Sequence, residues 1–206
     1  MLKQTRLASL GALLSLTIAG CATDRQTDPP RTATEELLVS TAVDRSVDRI
    51  KFQLPPDSKV FVDTQYFDTD GVVRPKYTVS AVHDQLLRLG AHLVDDRKNA
   101  DIVMELRSGA QSIDYSTFLI GIPSFPLPIP FTGTLTFPEI AFFKIDKQTG
   151  VSKLALTGFS QKEGTLAEST GSEYGQSQKK KVVILFVSWT DSDIAPPGQP
   201  DSGTQQ

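Results

Sequence analysis

The chain has few of the residues that build disulfides and metal centres. It contains one cysteine and two histidines among 206 residues, which excludes an internal disulfide framework and a cysteine-rich zinc site. The HExxH, GxSxG and phosphate-loop patterns are also absent. A formal net charge of −3 argues against a broad nucleic-acid-binding surface. We therefore predict a non-catalytic protein with no metal, no cofactor and no nucleic-acid partner.

The N-terminus has the layout of a secretory signal peptide. Lys3 and Arg6 precede an apolar run, Leu7–Ile18, that is too short to span a bilayer as a helix, and small residues follow it. We predict that residues 1–20 are a signal peptide and are removed. The mature chain would then carry 19 basic and 24 acidic residues, a net charge of 19 − 24 = −5.

The segment Thr17-Ile18-Ala19-Gly20-Cys21 resembles the bacterial lipobox. The resemblance implies that Cys21 becomes the new N-terminus and carries a diacylglycerol group and palmitate, which together anchor the protein to a membrane. A single acyl chain would give only marginal binding. Ala22, rather than Asp, is similar to lipoproteins that are exported to the outer membrane. We expect a cell-envelope protein, lipid-anchored on the periplasmic face of the outer membrane rather than the inner one.

Composition divides the mature chain into three parts. Residues 21–31 are polar and rich in proline, which is typical of a flexible tether. Residues 192–206 are rich in proline, glycine and polar residues, which indicates a disordered tail. Residues 32–191 remain as a single domain.

The pattern within residues 32–191 predicts an α+β fold. Thr32 and Glu35 have the spacing of a helix capping box, and valines at helical spacing follow them. A second apolar stripe over Thr78–Leu89 predicts a second helix, which Gly90 would end. Runs of strands come afterwards. We expect two N-terminal helices packed on one face of a mainly antiparallel sheet of about five strands.

Three features of the strand region carry specific expectations. Residues 139–146 and 153–160 are expected to form a hairpin around Lys147–Gly150. Residues 164–178 are polar and contain glycines, which indicates a mobile loop. The nearly all-apolar run Lys181–Thr190 is expected to form one strand buried on both faces.

The most unusual segment is Tyr115–Pro138, which has 24 residues without a charge, four phenylalanines and five prolines. The prolines exclude a membrane-spanning helix. Three interpretations are open: a loop that covers the core, a surface for a protein partner or another copy of the chain, and a contact with the bilayer. For the last two we single out the following side chains: Phe118, Ile122, Phe125, Leu127, Ile129 and Phe131.

Alternation over residues 131–143 also suits a hairpin that each copy would donate to an oligomeric pore. Pro138 and Lys144 argue against this version, since proline and lysine fit poorly in a membrane strand.

Catalytic signals are weak. His83 and His92 have no ligand partners at metal-binding spacing. Ser177 and Lys180 match the SxxK pattern of penicillin-binding enzymes, but the companion motifs are missing. We interpret the match as chance.

Several phrases resemble a family of uncharacterised bacterial lipoproteins of unknown function. They are Thr32-Ala-Thr-Glu-Glu-Leu-Leu, Ile120-Gly-Ile-Pro, Phe143-Lys-Ile-Asp-Lys-Gln-Thr-Gly and Trp189. The order of elements is also similar to small envelope lipoprotein domains of the curli-secretion and penicillin-binding-protein-activator type, which is an analogy of fold alone. We expect a membrane-anchored binding or assembly module. An oligomeric secretion or pore component and an enzyme of envelope polymers are the alternatives.

Overall fold

The computed structural model describes residues 31–55, 57–67, 74–129 and 133–194. The elements below all belong to one compact unit that begins at Ala33. It contains two α-helices, α1 (Ala33–Val47) and α2 (Pro75–Arg88), and a short 3-10 helix at Arg97–Asn99. The strands are β1 (Lys59–Asp63), β2 (His92–Leu93), β3 (Ile102–Ile122), β4 (Phe125–Ile129), β5 (Gly133–Phe137), β6 (Ile140–Ser160), β7 (Leu166–Ile184) and β8 (Val187–Ser192).

Six strands form one sheet in the order β2-β1-β3-β6-β7-β8, and β4 and β5 form a separate pair. β1 runs parallel to both β2 and β3, whereas β3, β6, β7 and β8 are antiparallel neighbours. The predicted α+β class, with two helices and a mainly antiparallel sheet, is confirmed. The main sheet has six strands where about five were expected.

Helix α1 packs closely on β6 and β7. Its residues Val39, Val43 and Val47 are buried, as their helical spacing predicts. A Cβ atom at Gly150 of β6 would overlap the backbone carbonyl of Leu38, and one at Gly175 of β7 would overlap that of Ala42. The two glycines therefore allow the helix backbone to approach the sheet more closely than any side chain would permit.

Helix α2 packs beside α1 and reaches β3. Val82 and Leu86 are fully buried in the same apolar core as the α1 valines and Leu154 and Leu156 of β6. The Thr78 hydroxyl donates a hydrogen bond to Gln111 of β3 at 3.1 Å. Hydrogen bonding inside the core thus fixes the helix against the strand.

The expected hairpin around Lys147–Gly150 is wrong, because β6 runs without a turn from Ile140 to Ser160. Residues on both sides of Gly150 pair continuously with β3 and β7. The glycine that suggested a turn is needed instead for the close approach of α1.

Two further strand predictions are wrong. Residues 166–178, expected in a mobile loop, are the first part of β7, where Gly175 again allows helix contact. The run Lys181–Thr190 is not one doubly buried strand, since β7 ends at Ile184 and β8 begins at Val187. Leu185 has a φ of 52° in the intervening turn, and Phe186 is 99% exposed.

The core-covering loop is also the wrong interpretation of Tyr115–Pro138. Its described residues are the end of β3 and the strands β4 and β5, and most of their apolar side chains are exposed. Pro126 and Pro128 lie within β4. They are tolerated because β4 has a single partner strand, which leaves one edge with no hydrogen bonds to make.

Candidate functional site

The long strands extend well past the helices. α1 has 15 residues and is about 22 Å long, whereas the 21 residues of β6 span about 70 Å. The Tyr115 hydroxyl donates a hydrogen bond to Glu35 in the first turn of α1, so this helix begins beside Tyr115. We call residues 115–129, 133–148 and 179–192 the arm, which consists of the part of the main sheet beyond this point and the separate pair β4–β5.

One face of the arm is apolar across all four of its main-sheet strands, β3, β6, β7 and β8. Gly150 and Ser152 of β6 contact α1, and strand alternation places Phe143 and Ile145 on the opposite face. Two complete rows of paired residues share that face, which we call the apolar face. They are Phe118–Ile145–Val182–Trp189 and Ile120–Phe143–Ile184–Val187, in the order β3, β6, β7, β8.

Every residue of these two rows is apolar, and most of them are exposed. Phe118 is 56% and Val187 is 65% exposed. Phe118 and Phe143 meet edge to face, with ring centroids 6.1 Å apart. The next row towards the helices is polar, with Ser116, Lys147, Lys180 and Asp191. The apolar face therefore ends sharply at the row nearest the helices. Its large side chains are contiguous, which marks a contact surface.

The opposite face of the arm, the polar face, carries charges. Its rows are Thr117–Asp146–Lys181–Thr190 and Leu119–Lys144–Val183–Ser188. The Lys144 ammonium donates to Glu139 at 2.9 Å and lies 3.5 Å from Asp146. The hydrogen bond to Glu139 is the main reason why the pKa of Lys144 is raised above its usual value. Lys144, whose charge argues against a membrane strand, thus lies on the polar face and is paired with Glu139 and Asp146.

The pair β4–β5 continues the arm and is amphipathic as well. Phe125 pairs with Phe137, and their rings stack with centroids 5.0 Å apart. Leu127 pairs with Leu135 on the same face, whereas the prolines of β4 pair with threonines. The apolar side chains are thereby gathered on one face of this hairpin too.

The structure places five of the six singled-out side chains on the arm. Phe118 and Ile122 lie on the apolar face of β3, and Phe125, Leu127 and Ile129 lie together on β4. These five side chains are between 39% and 56% exposed. Phe131 and the predicted lipidation site Cys21 lie outside the described residues.

Sequence reasoning missed the other half of the apolar face. The missed residues are Ile120, Phe143, Ile145, Val182, Ile184, Val187 and Trp189. A signal for them exists in the alternation of Val187 and Trp189 with polar Ser188 and Thr190. That alternation indicates a strand with one apolar face rather than a strand buried on both.

The described surface also has clefts. One of about 290 Å³ lies at the root of the arm, and another of about 460 Å³ includes His83 beside Phe67 and Val79. The first is lined mainly from the polar face, by Tyr115, Ser116, Thr117, Asp146, Lys147, Gln148, Lys179 and Lys181. Residues 31–55, 57–67, 74–129 and 133–194 contain no cluster of three or more side chains suited to a metal ion.

The SxxK match does not form a catalytic pair. The Ser177 hydroxyl is buried and donates a hydrogen bond to the Leu38 carbonyl at 2.6 Å. Three residues apart on a strand, Ser177 and Lys180 point to opposite faces of the sheet. The hydroxyl therefore fixes α1 on β7 and is not adjacent to the lysine.

A comparison with protein families gives a match. The model of a family described as a family of unknown function (DUF6655) matches residues 15–181. A search of curated proteins finds none that matches the chain. No helix within the described ranges is long and apolar enough to cross a membrane.

Proposed function

The chain belongs to the family of unknown function DUF6655, and we propose that it is a membrane-anchored, non-catalytic binding or assembly module of the bacterial cell envelope. In this proposal a lipid on Cys21 holds the domain at the periplasmic face of the outer membrane. The arm is the surface through which it acts. The lipobox resemblance of residues 17–21 supports the anchor, and Ala22 supports the outer membrane over the inner one.

The apolar face of the arm carries the proposal. Burial of large apolar side chains is worth roughly 1.5–3 kcal/mol for each one that is fully covered. Of the eight residues in the two rows, Val182 is already buried, whereas Phe118, Ile120 and Val187 are each more than half exposed. A partner or a lipid surface that covered them would gain considerable free energy.

The position of the anchor fits the position of the arm. The N-terminal end of α1 lies beside Tyr115, at the root of the arm. Cys21 precedes Ala33 by 33 − 21 = 12 residues, which can span at most about 40 Å. An anchor on Cys21 would therefore tether the domain from the root of the arm.

The proposal further takes both helices to lie on one face of the sheet. Thr78 of α2 contacts Gln111 of β3, and Ser46 of α1 contacts Ser152 of β6 at 3.0 Å. Gln111 and Ser152 are directly paired and so share a face. The helices then stabilise one face of the sheet and leave the opposite face of the arm available for contacts.

The first experiment tests the anchor. We expect the mass of the mature chain to correspond to a start at an acylated Cys21, and the chain to fractionate with membranes. Cys21→Ser should release it into the soluble periplasmic fraction, and Ser40→Ala, a mild surface change, is the control. A Cys21 that is recovered as a free thiol would contradict the anchor.

The second experiment tests the arm. The lipidated chain is cross-linked in envelopes, and the linked species are identified by mass spectrometry. Ile120→Asp combined with Val187→Asp charges both ends of one apolar row and should remove the cross-links. Ser116→Asp combined with Ser188→Asp adds the same charge to polar positions of the same strands and should retain them. Equal cross-linking of the two variants would count against the arm as the contact surface.

A second candidate function is an oligomeric secretion or pore component. The specific observation in its favour is that the arm has one apolar and one polar face, as a sheet between lipid and water requires. Conductance of the purified lipidated chain across a planar bilayer would distinguish a pore from a binding module. The third alternative is an enzyme of envelope polymers. Its one candidate motif in the sequence, SxxK, contains Ser177, which is buried and donates a hydrogen bond to Leu38 of α1.

A further inference from the structure

Among the residues that the structure describes, both edges of the four main-sheet strands of the arm are open. β1 pairs with β3 only as far as Glu105, so the outer edge of β3 from Leu106 to Ile122 has no partner strand among the described residues. β8 is the last strand of the sheet on the other side. Open edges present rows of backbone donors and acceptors that can pair with another strand, and nothing in β8 or in residues 115–122 blocks pairing with a proline.

We infer that these two edges pair with each other between copies of the chain, β8 of one copy against the outer edge of β3 of the next. This inference rests on the proposed function and names the partner of the arm. The occupant of each open edge is a second copy of the same chain.

Strand direction supports head-to-tail pairing. β3 runs away from the helices, β6 returns, β7 runs away and β8 returns, because each neighbouring pair is antiparallel. The two edge strands therefore run in opposite directions. When copies stand side by side with their arms pointing the same way, β8 of one is antiparallel to β3 of the next, and the alternation continues unbroken.

The two faces of the arm also continue across such a junction. The apolar rows begin at Phe118 and Ile120 on the β3 edge, and they end at Trp189 and Val187 on the β8 edge. Pairing of the edges brings the ends of the rows together, apolar against apolar and polar against polar. Cross-strand neighbours of like polarity stabilise a sheet.

Head-to-tail pairing uses both open edges, whereas a two-fold dimer uses only one of them. Two β8 edges could also pair antiparallel with each other, but the two arms would then point in opposite directions. The outer edge of β3 would also remain open in both copies of such a dimer. Head-to-tail contacts keep every arm on the same side, and they lead to a closed ring or a continuing row rather than to a dimer.

Pairs of introduced cysteines test the arrangement in the lipidated full-length chain, where an acylated Cys21 offers no thiol. Asp191→Cys on β8 is combined in turn with Ser112→Cys, Asp114→Cys or Ser116→Cys on β3. These three positions share one face and differ in register by two residues. We expect oxidation of one of the double variants to give a ladder of dimers, trimers and larger species.

The single-cysteine variants are the matched controls. Each alone should remain monomeric on a non-reducing gel. A mixture of Asp191→Cys chains with chains that carry only the β3 cysteine of the ladder-forming variant should give one cross-linked dimer and nothing larger. Three results would overturn the inference: a dimer from Asp191→Cys alone, cross-links only to another protein, or no cross-link in a chain that light scattering finds monomeric in detergent.

The same double variants in a Cys21→Ser background separate this inference from the proposed function. A ladder that persists without the lipid, in a chain whose native Cys21 proves to be unmodified, would support self-association and contradict the anchor. An acylated chain without a ladder would support the anchor and contradict self-association.

Discussion

The half of the sheet that contacts α1 and the arm share the same three long strands, yet they place apolar side chains on opposite faces. In β6, Leu154 and Leu156 lie in the core with no exposed surface, on the face that α1 covers. Phe143 and Ile145, farther along the same strand, lie on the other face. The covered half of the sheet therefore contributes to folding, whereas the arm contributes an apolar surface that folding leaves open.

A β-bulge makes this exchange of faces in β3. Leu106 and Phe118 are 118 − 106 = 12 positions apart, an even offset that in a regular strand would place them on the same face. The register with β6 shifts between Ser108 and Ala110, so that one extra residue, Gly109, is inserted. The insertion moves every later side chain to the opposite face.

The largest effect should come from a side chain placed where α1 touches the sheet. A Cβ atom at Gly175 would overlap the Ala42 carbonyl and crowd the backbone of Ser46. Gly175→Val should therefore displace α1 and cost more than about 4 kcal/mol, the range of exceptional core damage. Thermal unfolding followed by circular dichroism measures the loss.

Gln176→Val is the matched control for this change, since residue 176 is exposed and points away from α1. We expect its melting temperature to stay close to that of the parent chain. If Gly175→Val melted at the parent temperature, α1 would not lie as close to β7 as the glycine indicates.

Truncation of one apolar side chain in each region should give a difference of intermediate size in the free energy of unfolding. Leu156→Ala empties space in the core and should cost roughly 2–5 kcal/mol. Ile120→Ala removes a side chain that is already half exposed on the arm, and should cost less than about 1 kcal/mol. Urea unfolding of the two variants, at equal chain concentration and with the lipid absent, provides the comparison. Equal losses would mean that the apolar face is covered by the chain itself.

The helices could be predicted from the sequence because their signal is local. Val39, Val43 and Val47 repeat at helical spacing, and so do Val82 and Leu86. The long strands could not be predicted in the same way. Gly150 resembles a turn residue, and its real cause, contact with α1, involves a residue more than a hundred positions away.

Half of the candidate site could be predicted for a similar reason. The absence of charge singles out Phe118 and Ile122 without any knowledge of the fold. Phe143 and Trp189 belong to runs that would suit a buried core equally well. Their exposure depends on the length of α1, which does not extend over the arm, and their place beside Phe118 depends on the bulge at Gly109 of β3. The pattern of a single strand contains neither feature.

The smallest effect should come from a polar contact within the covered region. The Tyr77 hydroxyl of α2 donates to Asp44 of α1 at 2.7 Å, and burial together with this bond raises the pKa of Tyr77 to about 12. Because Tyr77 is 41% exposed, Tyr77→Phe should cost only about 0.5 kcal/mol, less than the loss of a fully buried hydrogen bond.

The raised pKa of Tyr77 means that its contribution to stability is complete below the unfolded-state pKa near 10 and is lost as the pH rises through about 12. The difference between Tyr77→Phe and the parent chain in urea unfolding should therefore be constant from about pH 6 to about pH 9. The cross-linking ladder of the arm should be unaffected, since the bond lies wholly between the helices, and a change in the ladder would show that the two regions are coupled rather than independent.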